Sequence, residues 1–158
     1  MDNYEDRLAA QVKAIVEAGE TDTSIGERPL TLDELKELAI SMGLNEEQWQ
    51  ALLVKAQKHL KLADDHLKAR NYKDAISEGE QAIAINPYLV NCNAILAKAY
   101  MMMWMEDHLP ETRQKAEYYA KKELVVDPRD QQAVMVLSTL NKKASVLEQD
   151  NQTRKKLI

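Results

Sequence analysis

The sequence predicts an all-α fold, a solenoid of antiparallel helix pairs with an N-terminal helical extension. Three observations predict it. Only four of the 158 residues are Gly and four are Pro, while Ala, Leu, Lys, Glu and Gln, all good helix formers, dominate. Small residues recur at helical spacing in two segments, and each segment closes on a proline, Pro87 and Pro128, 41 residues apart. No convincing run of alternating apolar and polar residues marks a strand. The length suits one domain with a modest core.

The elements follow in order. Tyr4 to Ala18 reads as a helix with Leu8, Val12, Ile15 and Val16 as its apolar stripe. Thr21 to Pro29 is rich in turn formers, so residues 1–28 form a helix and its linker. Thr31 opens a short helix, with Glu34 three residues on as a capping box. Leu32, Leu35, Leu38 and Ala39 form its apolar face, and Gly43 ends it. Asn45 caps the next helix, with Gln48 at the reciprocal position. From there Trp49, Leu52, Leu53, Ala56, Leu60, Ala63 and Leu67 keep one stripe. A single helix is therefore expected from about Glu46 to Ala69, about 36 Å long. Residues 29–55 form a hairpin leading into a solenoid over 56–150, and 151–158 form a basic tail.

The solenoid carries the most informative pattern. His59-x2-Leu62-Ala63-x2-His66 is followed by Ala75-x3-Gly79-x2-Ala82 and then Asn86-Pro87. Asn93-x2-Leu96-Ala97-x2-Tyr100 and Ala116-x3-Ala120-x2-Glu123-x4-Pro128 repeat it. Pro87 lacks an N–H and disfavours helix at Asn86, so the second helix should end there. The pattern resembles the tetratricopeptide repeat, a helix–turn–helix unit of about 34 residues. His59, His66 and Gly79 stand where that family has aromatic residues, and Glu123 where it has alanine. The second copy is seven residues longer than the family period, and the excess is expected between its helices, around Met101 to Pro110. Glu106 to Pro110 should be a mobile connection, with Pro110 starting the next helix. Val134, Leu137 and Ser138 match a third first-helix, and Gln131 to Gln149 reads as the polar-faced cap a solenoid needs.

Composition excludes several function classes. The net charge is −5, and residues 1–50 hold twelve acids against four bases. No strong basic face is evident, so nucleic acid is not an expected partner. Cys92 is the only cysteine, lies among apolar neighbours, and reads as a small buried residue. Asp2, Glu5 and Asp6 precede any apolar run, so the start is no secretory signal, and no segment is a membrane span. His59 and His66 lie about 10.5 Å apart by helix rise, too far to share a metal. Glu106-Asp107-His108 reads as solvated charge before Pro110. With no phosphate loop, nucleophile elbow or HExxH motif, the expectation is a protein that is not an enzyme and takes no cofactor or metal.

The resemblance implies an adaptor that binds a peptide or protein segment along the concave face of its first helices. That face takes Gln57, Leu60, Asp64, Leu67 and Lys68 from the first repeat. The second supplies Asn91, Ala94, Lys98, Met101 and Met102, and the cap Gln132, Met135, Thr139 and Lys142. A carboxylate clamp of the chaperone co-factor kind is not expected, because Leu60, Asp64, Ile95, Gln132 and Val136 occupy its places. Met101 to Met105 cannot all face inward on a helix, so they divide between core and contact surface. Residues 1–25 are expected to fill the groove or swap into a neighbour's. The competing reading is self-assembly into a homo-oligomer, and a third is a regulatory subunit of an enzyme complex. The expected location is the cytoplasm. Arg154, Lys155 and Lys156 before Leu157 and Ile158 are also compatible with the flank of an anchor beyond Ile158.

Overall fold

The computed structural model describes residues 31–156. The expected helix at Tyr4–Ala18, its linker and the placement of residues 1–25 lie outside the described residues. The described residues form six helices and no strand: α1 (Leu32–Ser41), α2 (Glu46–Lys68), α3 (Tyr72–Ile85), α4 (Cys92–Asp107), α5 (Pro110–Val126) and α6 (Gln131–Lys156).

Local chemistry sets most of these boundaries. Thr31 Oγ1 accepts the Glu34 N–H at 3.2 Å and starts α1. At its end Gly43 takes φ 111°, and Gly43 and Leu44 donate back to the carbonyls of Ile40 and Ala39 at 3.1 and 3.0 Å. This left-handed closure suits glycine because it has no Cβ. Asn45 and Gln48 form the expected reciprocal box, at 2.8 and 2.9 Å. Helix α2 ends one residue before the expected Ala69, by the same kind of closure with Arg70 at φ 64°. It runs across the expected boundary between residues 55 and 56, and α6 runs across that between 150 and 151.

Two corners have the same local structure. Asn86 and Asp127 both leave their helices extended, at φ −130°, ψ 96° and φ −137°, ψ 96°. Each side chain accepts the N–H two residues on, from Tyr88 at 3.0 Å and Arg129 at 3.1 Å. Each carbonyl accepts the N–H three residues on, from Leu89 at 3.2 Å and Asp130 at 3.1 Å. The proline after each cap prevents the helix from continuing.

The seven extra residues are not a loose connection. Helix α2 runs two residues past His66, whereas α4 runs seven past Tyr100. Helix α5 begins six residues before Ala116, whereas α3 begins three before Ala75. Between α4 and α5 stand only His108 and Leu109. Glu106 and Asp107 are therefore helical, which corrects the expected connection. The Asp107 carboxylate ties the corner by accepting from Leu109 N–H at 2.9 Å and Thr112 Oγ1–H at 3.0 Å. Apolar residues at Met101 to Met105 favour the longer helix because each added turn buries more surface. Pro110 opens α5, as expected.

Consecutive helices from α2 to α6 pack on one another, and α4 also touches α2 and α6. Their crossings are lined by small residues: Ala63, Ala75, Ala82, Ala97, Ala116, Ala120 and Ala133 are all fully buried. Leu52, Ile95, Leu96, Val136 and Leu140 fill the space between. Polar ties cross the same joints. His59 Nδ1 lies 2.5 Å from Glu78 Oε2, and the Tyr100 O–H donates to Glu80 Oε1 at 3.1 Å. Tyr100 stacks on Tyr119 with ring centroids 5.7 Å apart.

Gly79 marks the tightest approach of α3 to α4. A Cβ there would lie 2.8 Å from Leu96 Cδ2 and 2.9 Å from Leu96 Cγ. Leu96 is itself fully buried and has little room to move. Gly79→Ala gains about 1 kcal/mol in helix propensity but overpacks the core at a cost of about 1–3 kcal/mol. The expected outcome is net destabilisation, read as a lower urea midpoint with an unchanged slope. A raised midpoint would mean that Leu96 repacks freely.

Candidate partner-binding face

Helix α4 is the hub. Ten of its sixteen residues are buried, from Cys92 through Ala97 and again at Ala99, Tyr100, Met101 and Trp104. Lys98, Met102, Met103 and Met105 are half-buried, and only Glu106 and Asp107 at the end are exposed. Spacings of four and three put Lys98, Met102 and Met105 on one stripe. Met103 and the exposed end at Glu106 and Asp107 lie off that stripe, and neighbours cover the remaining residues. The helix also packs against both α2 and α6.

The expected partner-binding residues divide into two groups. Leu60 and Asp64 on α2, Lys98 and Met102 on α4, and Gln132 on α6 are half-buried, while Met135 and Lys142 are exposed. These can meet a ligand. Leu67 and Met101 cannot do so without rearrangement, because they are 8% and 4% exposed and belong to the core. Ala94 is fully buried as well. Asn91 is exposed, but its backbone does structural work: it stands at φ 76° and its N–H donates to Glu123 Oε1. The sequence reading missed Met105 as a groove residue. Its place seven residues after Lys98 was the available signal.

The run Met101 to Met105 is shared among three surroundings. Met101 and Trp104 enter the core. Met102 and Met105 fall on the stripe with Lys98. Met103 turns to the far end of the bundle, where it lines an open groove of about 640 Å³ with Arg70, Tyr72, Lys73, Asp74 and Glu106. The 100° step between neighbouring helical residues produces this division.

Charge on the face is mixed. Lys68 Nζ lies 2.7 Å from Asp64 Oδ2. That pair raises the Lys68 pKa, through the hydrogen bond first and then the charge of Asp64. Asp64 is thus paired within its own helix, and the described residues place no carboxylate in ion-pair range of Lys98 or Lys142. Thr139 Oγ1 lies 3.7 Å from Met135 Sδ, one turn along α6. The face thus offers thioether and aliphatic surface with amines beside it.

No group of three or more His, Cys, Asp or Glu side chains among the described residues could hold a metal ion. The Cys92 thiol is fully buried, and burial, followed by the nearby Glu123 carboxylate, pushes it up to about 12. No helix among the described residues is long and apolar enough to cross a membrane.

Core and face can be separated by truncation. Met101→Ala is expected to cost about 2–5 kcal/mol of stability, the range for a buried large-to-small change, and Met102→Ala much less. Chemical denaturation of the two variants checks this. Equal losses would remove the distinction between buried and available methionines.

Comparisons with protein-family models, curated proteins and solved structures find no match for this chain.

Proposed function

We propose that the chain is a non-catalytic, tetratricopeptide-like interaction module that holds a peptide or protein segment along α2, α4 and α6. The observation that carries this reading is the half-buried stripe Lys98, Met102 and Met105 on a helix that has ten of its sixteen residues buried. A hub helix that turns a single narrow stripe outward, bordered by two further helices, is a groove suited to an extended or helical segment. The paired corners at Asn86-Pro87 and Asp127-Pro128 support a repeated unit, as do the buried alanines at matching places.

The ligand this face suits combines apolar side chains with a few acids. Methionine is flexible and polarisable, so Met102, Met105 and Met135 can adapt to more than one apolar shape. Lys98 and Lys142 add charge complementarity, which sets orientation more than affinity. A cytoplasmic setting accords with a single buried thiol and no disulfide. A second reading, self-assembly, is favoured by the outer face of α5, where Tyr118 is 53% and Val125 75% exposed. Light scattering over a concentration series separates the two, since only assembly makes the mass rise with concentration.

Selection from a displayed peptide library, followed by titration of the best peptide, tests the groove. Met102→Glu should weaken binding at least about tenfold, the equivalent of 1.4 kcal/mol. Lys98→Ala should weaken it by no more than about fivefold, since exposed pairs contribute about 0.2–1 kcal/mol. Unchanged affinity in both variants, with native circular dichroism, would move the binding site off α4.

A further inference from the structure

Glu123 lies fully buried near the end of α5, against the start of α4. Its Oε1 accepts the backbone N–H of Asn91, the left-handed residue from which α4 springs. Its Oε2 is buried with no hydrogen-bond partner among the described residues. Buried polar atoms without partners are rare in native proteins, and one on an ionisable group couples the local structure to protonation.

The surroundings give a charge at this position little compensation. From α4 the facing group is the Cys92 thiol, whose Sγ–H is already directed at the Gly79 carbonyl on α3, 3.3 Å away. From the corner joining α5 to α6 come Asp127 and Asp130. Both are committed locally: Asp127 accepts from Arg129 N–H at 3.1 Å, and Asp130 caps α6 by accepting from Ala133 N–H at 2.8 Å. The Asp127 and Asp130 carboxylates oppose a third negative charge, the neutral Cys92 thiol offers it no donor, and only the Asn91 N–H favours it.

We propose that Glu123 is a proton-operated latch: its neutral carboxyl is held inside between α5 and α4, and its ionisation drives it out, freeing the Asn91 turn. Burial is the largest influence on this group. It outweighs the Asn91 hydrogen bond and, together with Asp130 and Asp127, pushes the carboxyl up to about 7. The folded value thus lies above the ordinary 4.5, so the closed state binds its proton more tightly than the open one. The stabilisation from that proton is complete below about pH 4.5, falls as pH rises toward about 7, and is absent above it. The opening involves the turn before α4 and the corner after α5, which are the joints on either side of the second helix pair.

Nuclear magnetic resonance of the full chain tests this directly, because the Asn91 amide donates to the titrating group. In the wild type the Asn91 amide shift should titrate with a midpoint near 7. Its hydrogen exchange, corrected for the intrinsic rate, should lose at least about tenfold protection between about pH 6 and 8. Glu123→Gln should leave both flat. Glu123→Ala, which restores the small residue of the repeat pattern, provides the same control if the amide is poorly accommodated. A midpoint below about 5.5, titration that persists in either variant, or constant protection across the range would overturn the latch.

Discussion

The rest of the structure depends on how closely the helices approach at their small residues. Where Ala63, Ala75, Ala82, Ala97, Ala116 and Ala120 are fully buried, two backbones meet with almost no side chain between them. At Gly79 even a methyl group is excluded, and Leu96 fills the space instead. Such crossings fix the relative placement of the helices more tightly than larger side chains do, because a methylene inserted in a close-packed joint has no free volume to enter. The proline corners supply the second constraint. They end α3 and α5 at the same local geometry, although α4 then begins six residues after Asn86 and α6 four after Asp127.

The face we propose for binding follows from that packing. Helix α4 touches α2, α3, α5 and α6, so most of its surface is consumed by neighbours. What remains is a stripe, and its chemistry is whatever the sequence puts at Lys98, Met102 and Met105. The outward residues of such a helix can change while the core packing behind them stays intact. The site's shape is thus set by the fold, while its preference is set by three or four side chains and their counterparts on α2 and α6.

Most of the helical boundaries were legible in the sequence because single residues determine them. Thr31, Gly43, Asn45, Pro87, Pro110 and Pro128 each act through one backbone requirement, and the helices begin or end within one or two residues of the expected places. The extra length of the second copy was visible, but its form was not. Whether seven residues become loop or helix depends on what the added turns can bury, a tertiary property. Met101 and Leu67 show the same limit. Periodicity puts them on the groove side, yet their side chains are taken up by the core. Met105 sits in an unbroken apolar run, where its spacing of seven from Lys98 was the phase marker to use.

Glu123 shows why a departure from a pattern carries more information than agreement with it. The alanines at the other crossings can be explained by close approach alone. A glutamate at such a crossing needs a reason, since its carboxyl must be desolvated and find donors. Only one donor is present, the Asn91 N–H, and it belongs to a residue held at φ 76°, a conformation that non-glycine residues adopt at some cost. The strained turn and the buried acid therefore support each other. Asn91 in that conformation directs its N–H at Oε1, and Oε1 satisfies an N–H that the first turn of α4 leaves without a partner inside the helix. An alanine would pack more simply at that crossing but would leave the amide unsatisfied. The turn into α4 is in this way tied to α5 by a contact between a backbone N–H and a buried carboxyl, whereas the alanines at the other crossings are explained by shape alone.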